Sequence, residues 1–341
     1  MPDITVLGAG IFGLSIAWVC QGRGAKVRVI DPGGAGASGG VVGALAPHVP
    51  ENWNDKKAFQ LESLLMAKPF WHEVEAVSGI SSGYARLGRL QPIADAAAMT
   101  LAQARTKTAA ELWQMNATWE IIATDDQGWA PVSPTGKLIH DTLSARIHPR
   151  RACAALAAAI TTRGGEILTK GAQQGQVIHA TGVAGLAELN RSHTRTIGNG
   201  VKGQGALLHF DARDQPQLFA DTVHIVPHTD GTVAIGSTSE RDYDDATSTD
   251  EKLDEVIERA MRAVPILHGA RVVERWAGLR PRSRSRAPML GPHPLHTGQF
   301  IANGGFKIGF GMAPKVGQVM ADFVLENKDS IPCDFRPEAS F

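Results

Sequence analysis

The sequence predicts an α/β fold (α+β overall) in which a Rossmann-like nucleotide domain is interleaved with a mixed antiparallel-sheet domain. Three observations predict it. In residues 4–31, the run Ile4-Thr-Val-Leu leads into Gly8-Ala-Gly10-Ile-Phe-Gly13. An apolar helical pattern follows, and Val27-Arg-Val-Ile-Asp31 ends a second strand on an acid. Glycine-marked segments return at Ala180-Thr-Gly182 and Gly304–Gly311, in the middle and near the end of the chain. Between these returns, strand signals recur at Gly205–Phe210, Thr222–Val226 and Thr232–Ile235, as an antiparallel sheet requires.

Each part of the opening unit has a mechanical purpose. Gly8 allows the tight strand-to-helix turn, Gly10 lets a pyrophosphate approach the backbone, and Gly13 lets helix and strand pack closely. The free amides of the helix start then face a diphosphate, which the helix dipole also favours. Asp31 stands where an acid accepts hydrogen bonds from a ribose 2′-OH, which argues for an adenine dinucleotide without a 2′-phosphate.

The remaining elements follow in order. Residues 55–78 read as a long helix with Phe59, Leu64, Leu65, Phe70, Trp71, Val74 and Val77 on its buried side, and a second helix runs from about Asp95 to Met115. Pro149 opens a helix to Thr162, since proline suits the first helical turn. Gly164-Gly165 ends it before a strand at Glu166–Thr169, and another strand covers Val177–Thr181. Leu253, Val256, Ile257, Ala260, Met261 and Val264 follow helical spacing with charges opposite, so that helix is scaffold. Pro314 lies near the start of a final helix whose apolar stripe is Val316, Val319, Met320, Phe323 and Val324.

Composition narrows the partners. The 341 residues are 43% hydrophobic and 20% charged, with 34 basic and 34 acidic side chains, so no whole-molecule field recruits nucleic acid or a membrane. Cys20, Cys153 and Cys333 form no CxxC pair; the first two sit in apolar helical patterns that favour buried, inert thiols, and no metal site is read. The first strand begins at Ile4 and no apolar run reaches membrane-spanning length, so a cytoplasmic location is expected. Assembly into a homo-oligomer is left open.

Five segments carry a family resemblance: Gly8–Gly13, Ala37-Ser-Gly-Gly-Val-Val-Gly-Ala-Leu45, Ala180-Thr-Gly182, Trp276-Ala-Gly-Leu-Arg-Pro281 and Gly304-Gly-Phe-Lys-Ile-Gly309. Their order resembles the FAD-dependent D-amino-acid oxidase superfamily, glycine oxidase and sarcosine oxidase branches. The resemblance implies non-covalent FAD. It also implies a discontinuous FAD domain (1–80, 146–205, 288–341) and a substrate domain (81–145, 206–287). By the resemblance, the cofactor-binding residues are Gly8, Gly10, Ile11, Phe12, Gly13, Asp31, Pro32, Ser38, Val42, Gly43, Ala44, Ala180, Thr181, Gly182, Gly305, Phe306, Lys307, Ile308, Gly309, Phe310 and Gly311. The late glycines independently favour a flat ring over a nicotinamide, because backbone can lie against it and the following helix directs its dipole there.

For substrate, the resemblance assigns Arg280 and Lys307 to a carboxylate, and a planar guanidinium suits that bidentate contact. His224 stands where glycine oxidases carry a substrate-facing tyrosine; a satisfied strand histidine is an equal alternative. His48 is a weaker candidate. The implied reaction is oxidation of the C–N bond of a small amino acid or N-substituted glycine. Hydride passes to flavin N5, an imine forms and hydrolyses to an oxo acid, and the electrons pass to O2 or another acceptor. Two departures stand out: Ser285 where an acid is usual, and Ala234 where sarcosine oxidases carry an oxygen-activating lysine. The arginine row at 280, 282, 284 and 286 shares one face if extended, and reads as solvated side chains or as a site for a dicarboxylate. Two alternatives remain: a tRNA wobble-uridine-processing FAD oxidoreductase, with the arginines on phosphates, and a non-catalytic flavin-binding or electron-relay subunit.

Overall fold

The strands divide between two main sheets in the computed structural model, which describes residues 1–34, 36–124 and 128–341. In chain order they are β1 (Ile4–Leu7), β2 (Val27–Ile30), β3 (Ala44–Leu45), β4 (Arg89–Pro92), β5 (Trp119–Ala123), β6 (Lys137–Asp141), β7 (Ala145–Arg146) and β8 (Glu166–Leu168). There follow β9 (Gln176–His179), β10 (Gly198–His209), β11 (Gln217–Ala220), β12 (Val223–Pro227), β13 (Thr232–Gly236), β14 (Arg271–Ser283), β15 (Met289–Pro292) and β16 (Phe300–Asn303). The helices are α1 (Ile11–Gly22), α2 (Asp55–Ser78), α3 (Ala96–Trp113), α4 (Pro149–Thr162), α5 (Gly182–Ser192), α6 (Glu251–Ala263) and α7 (Gly309–Glu326).

The first sheet runs β15-β16-β9-β1-β2-β8, parallel except for β15. Ile4, Val6, Val27 and Val29 are buried in it, because helices cover a parallel sheet and its strands read as apolar runs. Phe12, Leu14, Ile16 and Trp18 of α1 join Val316, Val319 and Met320 of α7 in the same core as Leu64, Trp71 and Val74 of α2. Asn54 accepts the Lys57 amide and Asp95 the Ala98 amide, which fixes where α2 and α3 begin. This is the mixed α/β architecture read from the sequence.

The second sheet runs β14-β10-β13-β12-β11-β4-β6-β5, antiparallel except for the β11–β4 pair. Its period-2 alternation separates two faces. Ala206, Leu208, Val223, Ile225, Val233 and Ile235 pack with Leu253, Val256, Ile257 and Ala260 of α6. Leu207, Val226 and Ala234 point the other way, onto Val41, Val42 and Ala44. The glycine-rich segment beyond residue 41 therefore lies between the two sheets.

Two elements differ from the sequence reading. Strand β10 begins at Gly198 rather than Gly205, running across residue 205 wholly within the second sheet. Helix α7 begins at Gly309, so Pro314 lies inside it and the last glycines form its first turn. The arginine row is also broken: β14 ends at Ser283, Arg286 has φ +63°, and Arg284 and Arg286 are exposed, so they do not share a face with Arg280. Among the described residues no helix is long and apolar enough to cross a membrane.

Candidate active site

The glycine turn is built for close approach. Gly8 has φ +105°, and a Cβ there would lie 2.4 Å from the Ala180 carbonyl oxygen; one on Gly13 would lie 2.0 Å from the Gly8 carbonyl oxygen. Neither position admits a side chain without moving backbone. Gly10 precedes α1 with no side-chain cap, and the Ile11 amide donates to Ser38 Oγ at 3.0 Å. Asp31 accepts the amides of Ala9 (2.5 Å) and Gly33 (2.8 Å), which ties the glycine turn to the end of β2. Pro32, next to it, is exposed. The uncapped start of α1, with a hydroxyl and a carboxylate on its rim, has the donors and clearance for a diphosphate and a ribose. Between Leu168 and Gln176 the chain forms no strand.

The later returns converge on the same place. Ala180 donates its amide to Leu7 at 2.8 Å, and Gly182 opens α5 with φ +57°. Buried Asn303 donates to the Gly182 carbonyl (2.8 Å) and accepts the Gly304 amide (2.7 Å), joining Thr181-Gly182 to the last glycine segment. A Cβ on Gly305 would meet the Phe12 ring at 2.9 Å, and Gly309 lies against Ile11, so α1 and α7 start side by side. Ile308 precedes α7, and Phe310 and Gly311 lie in its first turn. At Gly43, φ is +69° and a Cβ would fall 1.7 Å from the Ile147 carbonyl oxygen, where β3 pairs with β7. Val42 fills the space left by Gly205 and Gly236.

Arg280, Lys307 and His224 come together on the face of the second sheet that β10's glycines leave open. Arg280 is 9% exposed and its guanidinium lies on Gly203, where a Cβ would stand 1.7 Å from Nη1. Its Nη1 donates to the Thr238 carbonyl at 3.2 Å. Burial lowers its pKa to about 10, against the opposing pull of Glu240, so it stays charged at neutral pH. The Phe306 amide donates to the Pro281 carbonyl at 3.0 Å, which holds the Lys307 loop against the residue after Arg280. Lys307 is exposed, and partial desolvation, then Arg280 and Arg282, lowers its pKa. Among the described residues, Arg280, Arg282 and Lys307 have no carboxylate within ion-pair distance.

His224 pairs with Gly236 across β12 and β13, so it shares the Gly205 face, and its ring lies 4.6 Å from that of Phe219. Burial, then Arg89 and Lys307, lowers its pKa to about 3, which makes it neutral. Its Nδ1 is buried with no hydrogen-bond partner among the described residues. His48 belongs to the scaffold instead: its amide and its ring Nδ1 both face Gln60 Oε1. Ala234 is fully buried among Val41, Leu207 and Val226.

Several contributors escaped the sequence reading. Gly203 makes room for Arg280, Asn303 joins two glycine returns, Gln60 accepts the His48 amide and donates to the Ala46 carbonyl, and His228 Nε2 faces the Val41 carbonyl at 2.9 Å. Gly203-x-Gly205 was the one available signal, since alternate glycines in a strand mark a close approach on one face.

The comparisons with known proteins agree with this geometry. Residues 3–323 match the family model described as FAD dependent oxidoreductase. The chain belongs to the DAO family of FAD-dependent oxidoreductases. FAD is accordingly its cofactor, and the glycine turn, Ser38 and the paired helix starts fit it. The chain is 25% identical to a glycine oxidase of Bacillus licheniformis over 95% of its own length and 93% of that protein. It is also 34% identical to a glycine oxidase of Pseudomonas putida, over 40% of this chain and 38% of that one. In fold it is similar to the glycine oxidase of Geobacillus kaustophilus (TM-score 0.84, 20% identity, 98% of both chains). It is likewise similar to the iminodiacetate oxidase of Chelativorans sp. BNC1 (TM-score 0.85, 21% identity, 98% of both chains). The chain is thus an FAD-dependent oxidoreductase.

Proposed function

We propose that this enzyme oxidises the C–N bond of a small amino acid or N-substituted glycine whose carboxylate is held by Arg280 and Lys307. One observation carries the reading: buried Arg280 and nearby Lys307 face a glycine-lined space with no carboxylate of the protein to pair with. A buried cation without a partner is costly, and an anionic ligand removes that cost. FAD, held without a covalent link by the residues around Gly8–Gly13, Asp31, Ser38, Val42–Ala44, Ala180–Gly182 and Gly305–Gly311, supplies the two-electron acceptor when bound.

The chain's own groups supply position and dryness. Arg280 offers two parallel N–H donors to a carboxylate, which fixes the plane of the substrate, and Lys307 adds a point charge from the adjoining loop. Phe219 and neutral His224 flank this face without adding charge, so an amine there is not repelled. Loss of two electrons and two protons from H–C–N–H leaves an imine; water adds to it, giving an oxo acid and ammonia or a primary amine. Orienting the α-carbon is the chief contribution asked of the protein. The electrons then pass to O2 or another acceptor. Buried Cys20 and Cys153, whose thiols burial pushes up to about 12, are not poised to tether a flavin.

Anaerobic titration of the holoenzyme tests this. Glycine, sarcosine, D-alanine, D-proline and iminodiacetate are added in turn and the 450 nm flavin band is followed. At least one should bleach it; a band that none of them changes contradicts the small-substrate reading.

A further inference from the structure

A second cluster stands on other elements. His179 closes β9, His293 follows β15, and His296 lies in the turn that leads to β16. One ring nitrogen of each lies within 4.8 Å of one ring nitrogen of each of the others. The ring centroids are 4.4 Å apart for His179–His293 and His293–His296, and 4.8 Å apart for His179–His296. His179 and His293 are buried and His296 is half-buried.

Outer hydrogen bonds decide which nitrogens can ligate. His179 Nε2 faces Gln299 Oε1 at 2.5 Å, and His296 Nε2 faces Glu188 Oε1 on α5 at 2.8 Å. An amide oxygen and a carboxylate only accept, so both Nε2 atoms carry a proton, and Nδ1 is the nitrogen left to ligate once the ring is neutral. An imidazole donating its far N–H to a carboxylate or carbonyl is the usual second layer of a metal site. His293 differs in its bonds: its Nδ1 accepts the amides of Leu295 (3.1 Å) and His296 (3.3 Å). It releases those two long bonds to ligate through Nδ1, and so it is the ligand recruited on binding.

We propose that His179, His293 and His296 bind one divalent transition-metal ion of the Zn2+ class, with Gln299 and Glu188 orienting two of the rings. Three imidazoles suit such an ion better than Mg2+ or Ca2+, which require oxygen donors. Tetrahedral nitrogens about 2.1 Å from zinc stand roughly 3.4 Å apart, so the rings draw inward on binding. The ion would link β9, α5 and the β15–β16 turn, a clamp on the nucleotide sheet rather than part of the Arg280 face.

The test uses tag-free, FAD-loaded protein dialysed to equilibrium against Zn2+ alone, with zinc measured by atomic emission. About one zinc per chain is expected, with a rise in Tm, and both should be lost in the His179→Ala/His296→Ala double variant. Glu188→Gln, which keeps every ligand, should weaken Zn2+ binding by about tenfold. The proposal is overturned if wild type retains no zinc, or if the double variant retains as much. Should the double variant lose its flavin, Glu188→Gln decides: unchanged affinity overturns the site and the tenfold loss supports it.

Discussion

Lys202 and Arg280 stand on neighbouring strands, β10 and β14, both buried, and they are treated in opposite ways. Lys202 points to the α6 side, where Asp250 lies 3.5 Å from its Nζ. Beside it, Gln204 donates to Glu240 (3.0 Å) and Asp250 (2.6 Å) and accepts the Asp250 amide (2.9 Å). One residue further in register, on the opposite face, Arg280 meets only the Thr238 carbonyl. The α6 face thus neutralises its own cation, while the glycine-lined face gives its cation no carboxylate among the described residues. Glycine clearance beside a buried cation without a carboxylate is what sets the Arg280 face apart.

That contrast can be broken at Gly203. Alanine there puts a methyl where the Arg280 guanidinium lies, and the tip of a flexible side chain gives way more easily than backbone. Gly203→Ala should keep its fold and flavin spectrum yet lose about 10²-fold in kcat/KM, the scale of a displaced binding group. Steady-state kinetics beside a thermal melt check this; a melt that collapses, or kinetics unchanged, would refute the placement of Arg280.

A smaller effect sharpens the comparison through pH. With its folded pKa at about 3, below the unfolded value of about 6.5, His224 stays neutral in the fold while the unfolded chain takes up a proton. Stability from this group is therefore complete above about pH 6.5 and is lost as pH falls toward 3. Melting curves from pH 7 to pH 4 should show a shallower fall of Tm in His224→Phe than in wild type. Parallel curves would mean that His224 is protonated in the folded protein.

The nucleotide side was legible because it is local. Strand, Gly8–Gly13, helix and Asp31 follow one another in the chain, and Gly8 and Gly13 meet the close backbone their spacing implied. Arg280 and Lys307 were found through motif resemblance, but the Phe306–Pro281 hydrogen bond that joins their segments belongs to the tertiary fold. The start of β10 was hidden because Gly198, Gly200, Gly203 and Gly205 depress strand propensity in the very places where the fold needs clearance. The zinc-class cluster was invisible for a related reason: His179 lies far along the chain from His293 and His296, and only the parallel pairing of β9 with β16 unites them.

The central claim is that Arg280 awaits a carboxylate, and one comparison tests it most directly. Anaerobic flavin reduction is timed for the best amino-acid substrate and for its neutral primary amide, in wild type and in Arg280→Ala. Loss of a buried ion-pair partner should slow the carboxylate substrate by about 10²- to 10³-fold. The amide, slow in wild type, should be nearly unaffected. Equal slowing of both substrates, or of neither, would contradict the assignment.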